Sequence, residues 1–221
     1  MTGGGVAPII FDTTTVAPRA NRASRVVKAT LDVVLAAILL VLLCPLLLVL
    51  MIAVRLDSAG PAVFRQVRVG KDGRHFQVLK LRTMVSGAED LKAGLLAANE
   101  YDGVLFKMKH DPRITRIGGL LRRSSMDELP QLVNVLRREM SLVGPRPSLP
   151  DEVAVMDEDA MRRFAVRPGI TGLWQVSGRS NLGWSEAKAL DTYYADNWTV
   201  SGDLLILLRT AKAVVSAEGA C

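Results

Sequence analysis

The strongest constraint on this 221-residue chain is an apolar run over residues 33–54, bounded by Asp32 and Arg55. As a helix, its 22 uncharged residues reach about 33 Å, enough to cross a hydrocarbon core of about 30 Å. The run is apolar on every helical face, which argues against a helix packed inside a soluble core. It is too long for a signal-peptide core, and no small-residue cleavage site follows it. Cys44-Pro45 sits near its middle. A proline there removes one backbone hydrogen bond and clashes with the preceding turn, so the helix is predicted to kink. Arg19, Arg22, Arg25 and Lys28 precede the run, and Arg55, Arg65, Arg68, Lys71 and Arg74 follow it. Cationic flanks collect on the cytoplasmic side, which one crossing cannot satisfy for both. A helix that enters, bends at Pro45 and leaves on the same face satisfies both. Charge alone leaves the spanning and re-entrant arrangements open.

The formal net charge is +6, from 28 Lys and Arg against 22 Asp and Glu. That balance favours anionic partners such as phospholipid head groups or nucleotides. Nucleic acid is the weakest of these, because aromatics make up 5% of the chain and no binding motif is present. Two cysteines, Cys44 and Cys221, make no disulfide framework. No zinc-ligand spacing, glycine-rich nucleotide loop or Ser-His-Asp set is present, and His75 and His110 are isolated.

The pattern reads as an α+β chain, mostly helical. Residues 1–24 are rich in Gly, Thr, Ala and Pro, without an apolar period, and are predicted to be a disordered tail. The membrane helix is predicted over 25–56 and a catalytic domain over 57–221. Residues 62–69 alternate like a strand, Gly70 to Gly73 is a turn, and 75–82 is the partner strand of a small hairpin. Helices are predicted over 88–98, 117–123, 151–165 and 184–195. Another starts at Ser125, on the spacing of Leu129, Leu132, Val133, Leu136 and Met140. Ser125 and Glu128 match a capping box, and Pro130 is tolerable in a first turn. The segment from Arg167 to Gly172 reads as turns. An apolar stripe of Leu204, Leu205, Leu207, Leu208, Ala211, Val214 and Val215 suits either an interfacial helix or a core-packing one. Trp174, Trp184 and Trp198 suit core or interface packing better than sugar stacking.

The chemistry concentrates at Asp127-Glu128, with Arg122 and Arg123 before it and Arg146 in Val143-Gly144-Pro145-Arg146-Pro147 after it. Adjacent carboxylates can hold a divalent cation or attack phosphorus, and guanidinium groups can carry phosphate charge in bidentate bonds. An Asp-Glu pair alone also decorates ordinary helix starts. Arg146 lies in a proline-rich loop and Arg167 and Arg179 in turn-rich segments; such loops fix a side chain with little freedom. Lys80 and Arg82 face either the acids or the lipid head groups.

Four ordered motifs carry a resemblance: Lys80-Leu81-Arg82-Thr83-Met84, Asp127-Glu128-Leu129-Pro130-Gln131-Leu132, Val143-Gly144-Pro145-Arg146-Pro147, and the run from Arg167 to Arg179 that includes Gln175. Together they resemble the bacterial sugar transferases, the monotopic polyprenyl-phosphate phosphoglycosyl transferases. The resemblance implies transfer of a sugar 1-phosphate from a UDP-sugar to polyprenyl (undecaprenyl) phosphate, with release of UMP, at the cytoplasmic face of the bacterial inner membrane. It points to a hexose of the glucose or galactose type. It makes Asp127 the nucleophile of an aspartyl phosphosugar intermediate. Glu128 becomes a Mg²⁺ ligand or the base for the acceptor, and Asp127 a second metal ligand. Arg122, Arg146, Arg179, Arg167, Lys80, Arg82 and Gln175 are the implied substrate-binding residues. The helix-terminal position and the arginines are expected to favour ionised Asp127. The membrane helix is implied to be re-entrant and broken at Pro45, with Cys44 where many members carry serine. Bilayer lipid is an implied partner, and a homodimer is left open. A membrane-bound scaffold that binds lipid without turnover is the competing class.

Overall fold

The computed structural model describes residues 21–95, 108, 111–178 and 183–216. The first helix, α1 (Arg22–Asp57), begins earlier than expected, because the Asn21 side chain accepts from Ser24 N at 2.8 Å and caps it. Residues 21–24 therefore leave the predicted tail, whose remainder lies outside the described residues. Helical structure continues through Cys44 and Pro45. No loss of helix marks the predicted break.

α1 is docked along one face. Asp32, Ala36, Leu47 and Val54 are buried, and Leu40, Leu43, Leu50 and Met51 pack between them. Those spacings of three and four trace one helical stripe. The other faces stay apolar and exposed at Val34, Ile38, Val41, Leu42, Val49 and Ile52. Both ends are tied to the same globular body. Lys28 Nζ donates to Val143 O at 3.0 Å and to Asp203 Oδ2 at 2.5 Å. At the far end, Asp57 Oδ2 accepts from Ile117 N at 3.1 Å.

β1 (Val63–Val69) and β2 (His75–Leu81) form an antiparallel hairpin, with Val63 opposite Leu81 and Val69 opposite His75. Its turn is a single 3₁₀ turn, Lys71–Gly73, with Asp72 in the left-handed region. α2 (Ala88–Leu95) and α3 (Arg116–Arg123) follow. A Cβ at Gly118 would stand 2.0 Å from the Thr83 carbonyl oxygen, so this glycine lets α3 press its backbone against the end of the hairpin.

The long helix expected from Ser125 is not formed. Met126–Glu128 is a 3₁₀ turn, and α4 runs only Gln131–Leu136, with Pro130 at its N-cap. Ser125 takes a left-handed φ of 56° and makes no capping bond, while Glu128 turns to Lys80. After α4 the left-handed Arg138 (φ 61°) redirects the chain, so Met140 reaches the core from outside the helix.

β3 (Ser141–Val143) pairs in parallel with β4 (Gly169–Thr171), a strand inside the segment expected to be turns. A Cβ on Gly169 would lie 2.1 Å from Gly144 N, so backbone meets backbone there. The single charged helix expected over 151–165 is replaced by α5 (Pro150–Val153), α6 (Glu158–Met161) and a 3₁₀ turn, Arg162–Ala165. α7 (Leu173–Val176), α8 (Trp184–Asn197) and α9 (Val200–Ser216) complete the fold. The main core gathers Val78, Leu132, Val135, Met140, Leu142, Tyr194, Trp198 and Ile206 around Ala36 of α1. The core-packing expectation for α9 holds for one face, where Ile206 and Leu207 join the core, while Leu204, Leu205 and Leu208 on the other are exposed.

Candidate active site

β2 delivers Lys80 and the following residues to the centre of the body. Lys80 and Arg82 lie two residues apart and leave the strand on one side. Lys80 Nζ donates to Glu128 Oε1 at 2.7 Å. Arg82 instead serves α1, where its Nη2 donates to Ser58 O at 2.6 Å. The neighbouring Thr83 Oγ1 accepts from Arg122 Nε at 2.9 Å, fixing Arg122 on the last turn of α3. The 3₁₀ turn after α3 then places Asp127 and Glu128 beside these cations. Arg146, in the loop after β3, acts on Glu128 by charge, and its guanidinium makes no hydrogen bond among the described residues. Lys80, Arg122, Asp127, Glu128 and Arg146 thus form one site.

The two carboxylates differ sharply in environment. Burial pushes the Asp127 carboxyl up to about 6, against the pull of Lys80 and Arg122 and helped by the neighbouring Glu128. The expected preference for an ionised Asp127 is therefore outweighed. Its turn precedes α4 by several residues, so little helix dipole reaches it. For Glu128, burial also opposes ionisation. The Lys80 charge and hydrogen bond, the Arg146 charge and a hydrogen bond with Gln131 overcome it and hold the group below its usual range. Adjacent acids driven apart in this way suit different tasks: a basic, reactive carboxylate next to a permanently anionic one. Burial lowers the Arg122 pKa, which still leaves an arginine fully charged.

Other expected site residues are placed elsewhere. Arg167 Nε donates to Arg138 O at 2.9 Å, and Gln175 Nε2 donates to Ile170 O at 3.0 Å, so both brace the β4 region. Arg179 lies outside the described residues. Sequence reading missed Thr83, which orients Arg122, and Gln131, which supports Glu128. Both lie inside the quoted motifs, which was the available signal. A cation here would find two carboxylates, and no cluster of three or more acidic, His or Cys side chains exists among the described residues. That donor set suits Mg²⁺, which takes one or two carboxylates and completes its shell with phosphate oxygens and water.

The profile of the family described as bacterial sugar transferase matches residues 23–217. Galactosyl transferase CpsE of Streptococcus agalactiae is 43% identical over 196 residues, covering 88% of this chain and 43% of that protein. Undecaprenyl-phosphate galactose phosphotransferase of Salmonella typhimurium is 42% identical over 208 residues, covering 91% and 43%. UDP-glucose:undecaprenyl-phosphate glucose-1-phosphate transferase of Caulobacter vibrioides is 41% identical over 201 residues, covering 87% and 71%. This α+β domain with an apolar helix docked along it belongs to the bacterial sugar transferase family. The chain spans under half the length of the first two of these relatives. Among the described residues α1 is long and apolar enough to cross a membrane. With that family, it indicates membrane association.

Proposed function

We propose that this chain transfers a hexose 1-phosphate from a UDP-sugar to polyprenyl phosphate, initiating a glycan on a lipid carrier. The observation that carries the reading is the Asp127–Glu128 pair, with split acidities, set among Lys80, Arg122 and Arg146. The names of the Salmonella and Caulobacter relatives supply the substrate class. Asp127 attacks the β-phosphorus of the donor. The bond from that phosphorus to the oxygen bridging the two phosphates breaks, UMP leaves with the electron pair, and a phosphosugar-aspartate forms. An oxygen of polyprenyl phosphate then attacks the same phosphorus and frees the Asp127 carboxylate. Arg122 and Arg146 hold the phosphate oxygens, which carry the charge that moves during transfer. Glu128, through its oxygen not bonded to Lys80, and Asp127 are the residues that would hold Mg²⁺. The ion would supply charge neutralisation on the diphosphate.

The test is incubation with radiolabelled UDP-glucose or UDP-galactose and Mg²⁺ without acceptor. UMP release limited to one equivalent, with label on the protein, is the expected result. No release until polyprenyl phosphate is added would favour direct attack by the acceptor, with both acids serving the metal. Absence of turnover across UDP-sugars with lipid binding retained would leave a scaffold.

The membrane reading follows from α1. Its contacts with one body extend from Lys28 to Asp57, about 45 Å of helix. A straight crossing would drag that body, with its buried charges, into a hydrocarbon core of about 30 Å. An α1 that lies in or re-enters one face, at the cytoplasmic side of the inner membrane, keeps the exposed apolar faces in lipid and the charges in water. Cysteines introduced at positions 20 and 65 should both be shielded from an impermeant thiol reagent in intact cells. Labelling of only one of them means a spanning helix.

A further inference from the structure

The segment Gly144-Pro145-Arg146-Pro147 follows β3, and its two prolines have no N–H to anchor it. Gly144 N donates to Thr171 O at 2.9 Å and the Arg146 backbone bonds to Asp191, and the rest of the hold comes through its carbonyls. Arg163 Nη2 donates to Arg146 O at 2.8 Å, and Arg68 Nη1 donates to Pro147 O at 3.0 Å. Both guanidinium groups are buried, at 4% and 7% exposure, so neither is a solvated surface charge. Each is itself fixed, Arg68 from its own strand and Arg163 from α8. Gln66 Oε1 accepts from Arg68 Nε at 3.1 Å and Nη2 at 2.6 Å, and buried Asp191 of α8 pairs with Arg163. Two buried arginines from β1 and the 162–165 turn thus grip two consecutive carbonyls, that of half-buried Arg146 and that of the following Pro147.

Resting on the proposed role of Arg146 in binding phosphate, we infer that Arg68 and Arg163 are positioning residues that hold the Arg146 backbone so that its guanidinium reaches the donor diphosphate. A loop could be anchored by neutral donors at less desolvation cost. Guanidinium groups add something neutral donors lack, a positive field around Arg146. Arg146 and burial together bring Arg68 down to about 10, with burial the larger cause, while Glu152 and Glu128 act against them. An anion arriving on Arg146 relieves part of that repulsion. Of the two arginines, Arg68 is the simpler to test, because Arg163 shares its anchor with a buried ion pair.

The experiment is a double-mutant cycle on the full chain in detergent, reading UMP release against UDP-sugar concentration. Arg146→Ala establishes the role of Arg146. If the wild type turns over and Arg146→Ala is unchanged, the phosphate-binding reading fails, and this inference with it. Given an effect of Arg146→Ala, Arg68→Gln should lower kcat/KM about tenfold, mostly through donor KM, as expected for loss of a charged hydrogen bond. Arg68→Lys should recover part of that loss. In the Arg146→Ala background, Arg68→Gln should have almost no further effect. Should the two losses multiply, Arg68 does not act through Arg146 and the inference is overturned. If Arg68→Gln does not fold, Gln66→Met, which leaves the charge and removes its anchor, takes its place in the cycle with the same two readings.

Discussion

Replacing Asp127 by asparagine is expected to abolish sugar-phosphate transfer while making the fold more stable at neutral pH. The first half follows from chemistry, since an amide cannot accept phosphorus as a carboxylate does. Turnover should drop by at least about 1,000-fold, as for removal of other covalent nucleophiles. The second half follows from burial. The folded-state carboxyl is raised from 3.8 to about 6, so the folded protein binds this proton more tightly than the unfolded chain does. Above pH 6 the ionised group therefore costs stability, and the cost fades as pH falls from about 6 to 4. An asparagine at this position carries no charge and escapes that cost. The substitution is expected to stabilise by about 2–3 kcal/mol at pH 8, the two-unit shift at about 1.4 kcal/mol per unit, and by almost nothing at pH 4. Unfolding of both proteins in metal-free detergent buffer from pH 4 to 8 measures this. An inactive variant that is less stable at every pH would make Asp127 a structural acid. Activity within tenfold of wild type would remove it as nucleophile.

Much of this site was legible in the sequence, because its members fall in short motifs with local constraints. The hairpin was read to within a residue from its period-two alternation and the Gly70–Gly73 turn. What was hidden depended on burial across distant elements. Arg68 reads as one of several cations flanking the apolar run, yet β1 leaves Arg65 exposed and buries Arg68 against the proline loop. Asp32 reads as the polar border of the membrane segment. It is instead a buried acceptor for Ser141 Oγ at 2.7 Å and Leu142 N at 3.1 Å. The overlong helix after Ser125 came from apolar spacing that Met140 satisfies by coincidence. Nothing in that spacing signals the left-handed turn at Arg138, where Glu139 N and Met140 N both donate to Asn134 O. The β3–β4 pair was missed because three-residue strands carry no period to detect.

The largest stability loss is expected from Asp203→Ala, which removes the hub joining α1 to the globular body. Its Oδ2 accepts from Lys28 Nζ at 2.5 Å and Trp198 Nε1 at 2.8 Å, and its Oδ1 accepts from Tyr194 OH at 2.7 Å. Burial first, and then the Asp203 charge, pushes the Tyr194 phenol well above its ordinary range, so it stays a donor. Alanine would leave the Trp198 indole N–H facing a gap, while the Lys28 ammonium, 18% exposed, would keep only Val143 O and a longer pairing with Asp32 at 3.9 Å, and the Tyr194 phenol only Val143 O. Removing one partner of a buried ion pair costs about 3–5 kcal/mol, because the surviving charge keeps its desolvation penalty. For a chain of this size that lowers the unfolding temperature by about 10 °C. Asp72→Asn breaks the Lys71–Asp72 pair, with both side chains nearly half exposed, and keeps a residue type that tolerates the left-handed φ there. It should cost under about 1 kcal/mol. Adding Lys28→Met to Asp203→Ala should recover part of the loss, since the ammonium that has lost its nearest carboxylate is gone. Protease should also reach the start of α1 sooner in Asp203→Ala than in wild type, because Lys28 is its link to α9. An unfolding temperature within a degree or two of wild type would mean that apolar packing around Ala36, Leu40 and Leu43 holds α1 without the charges.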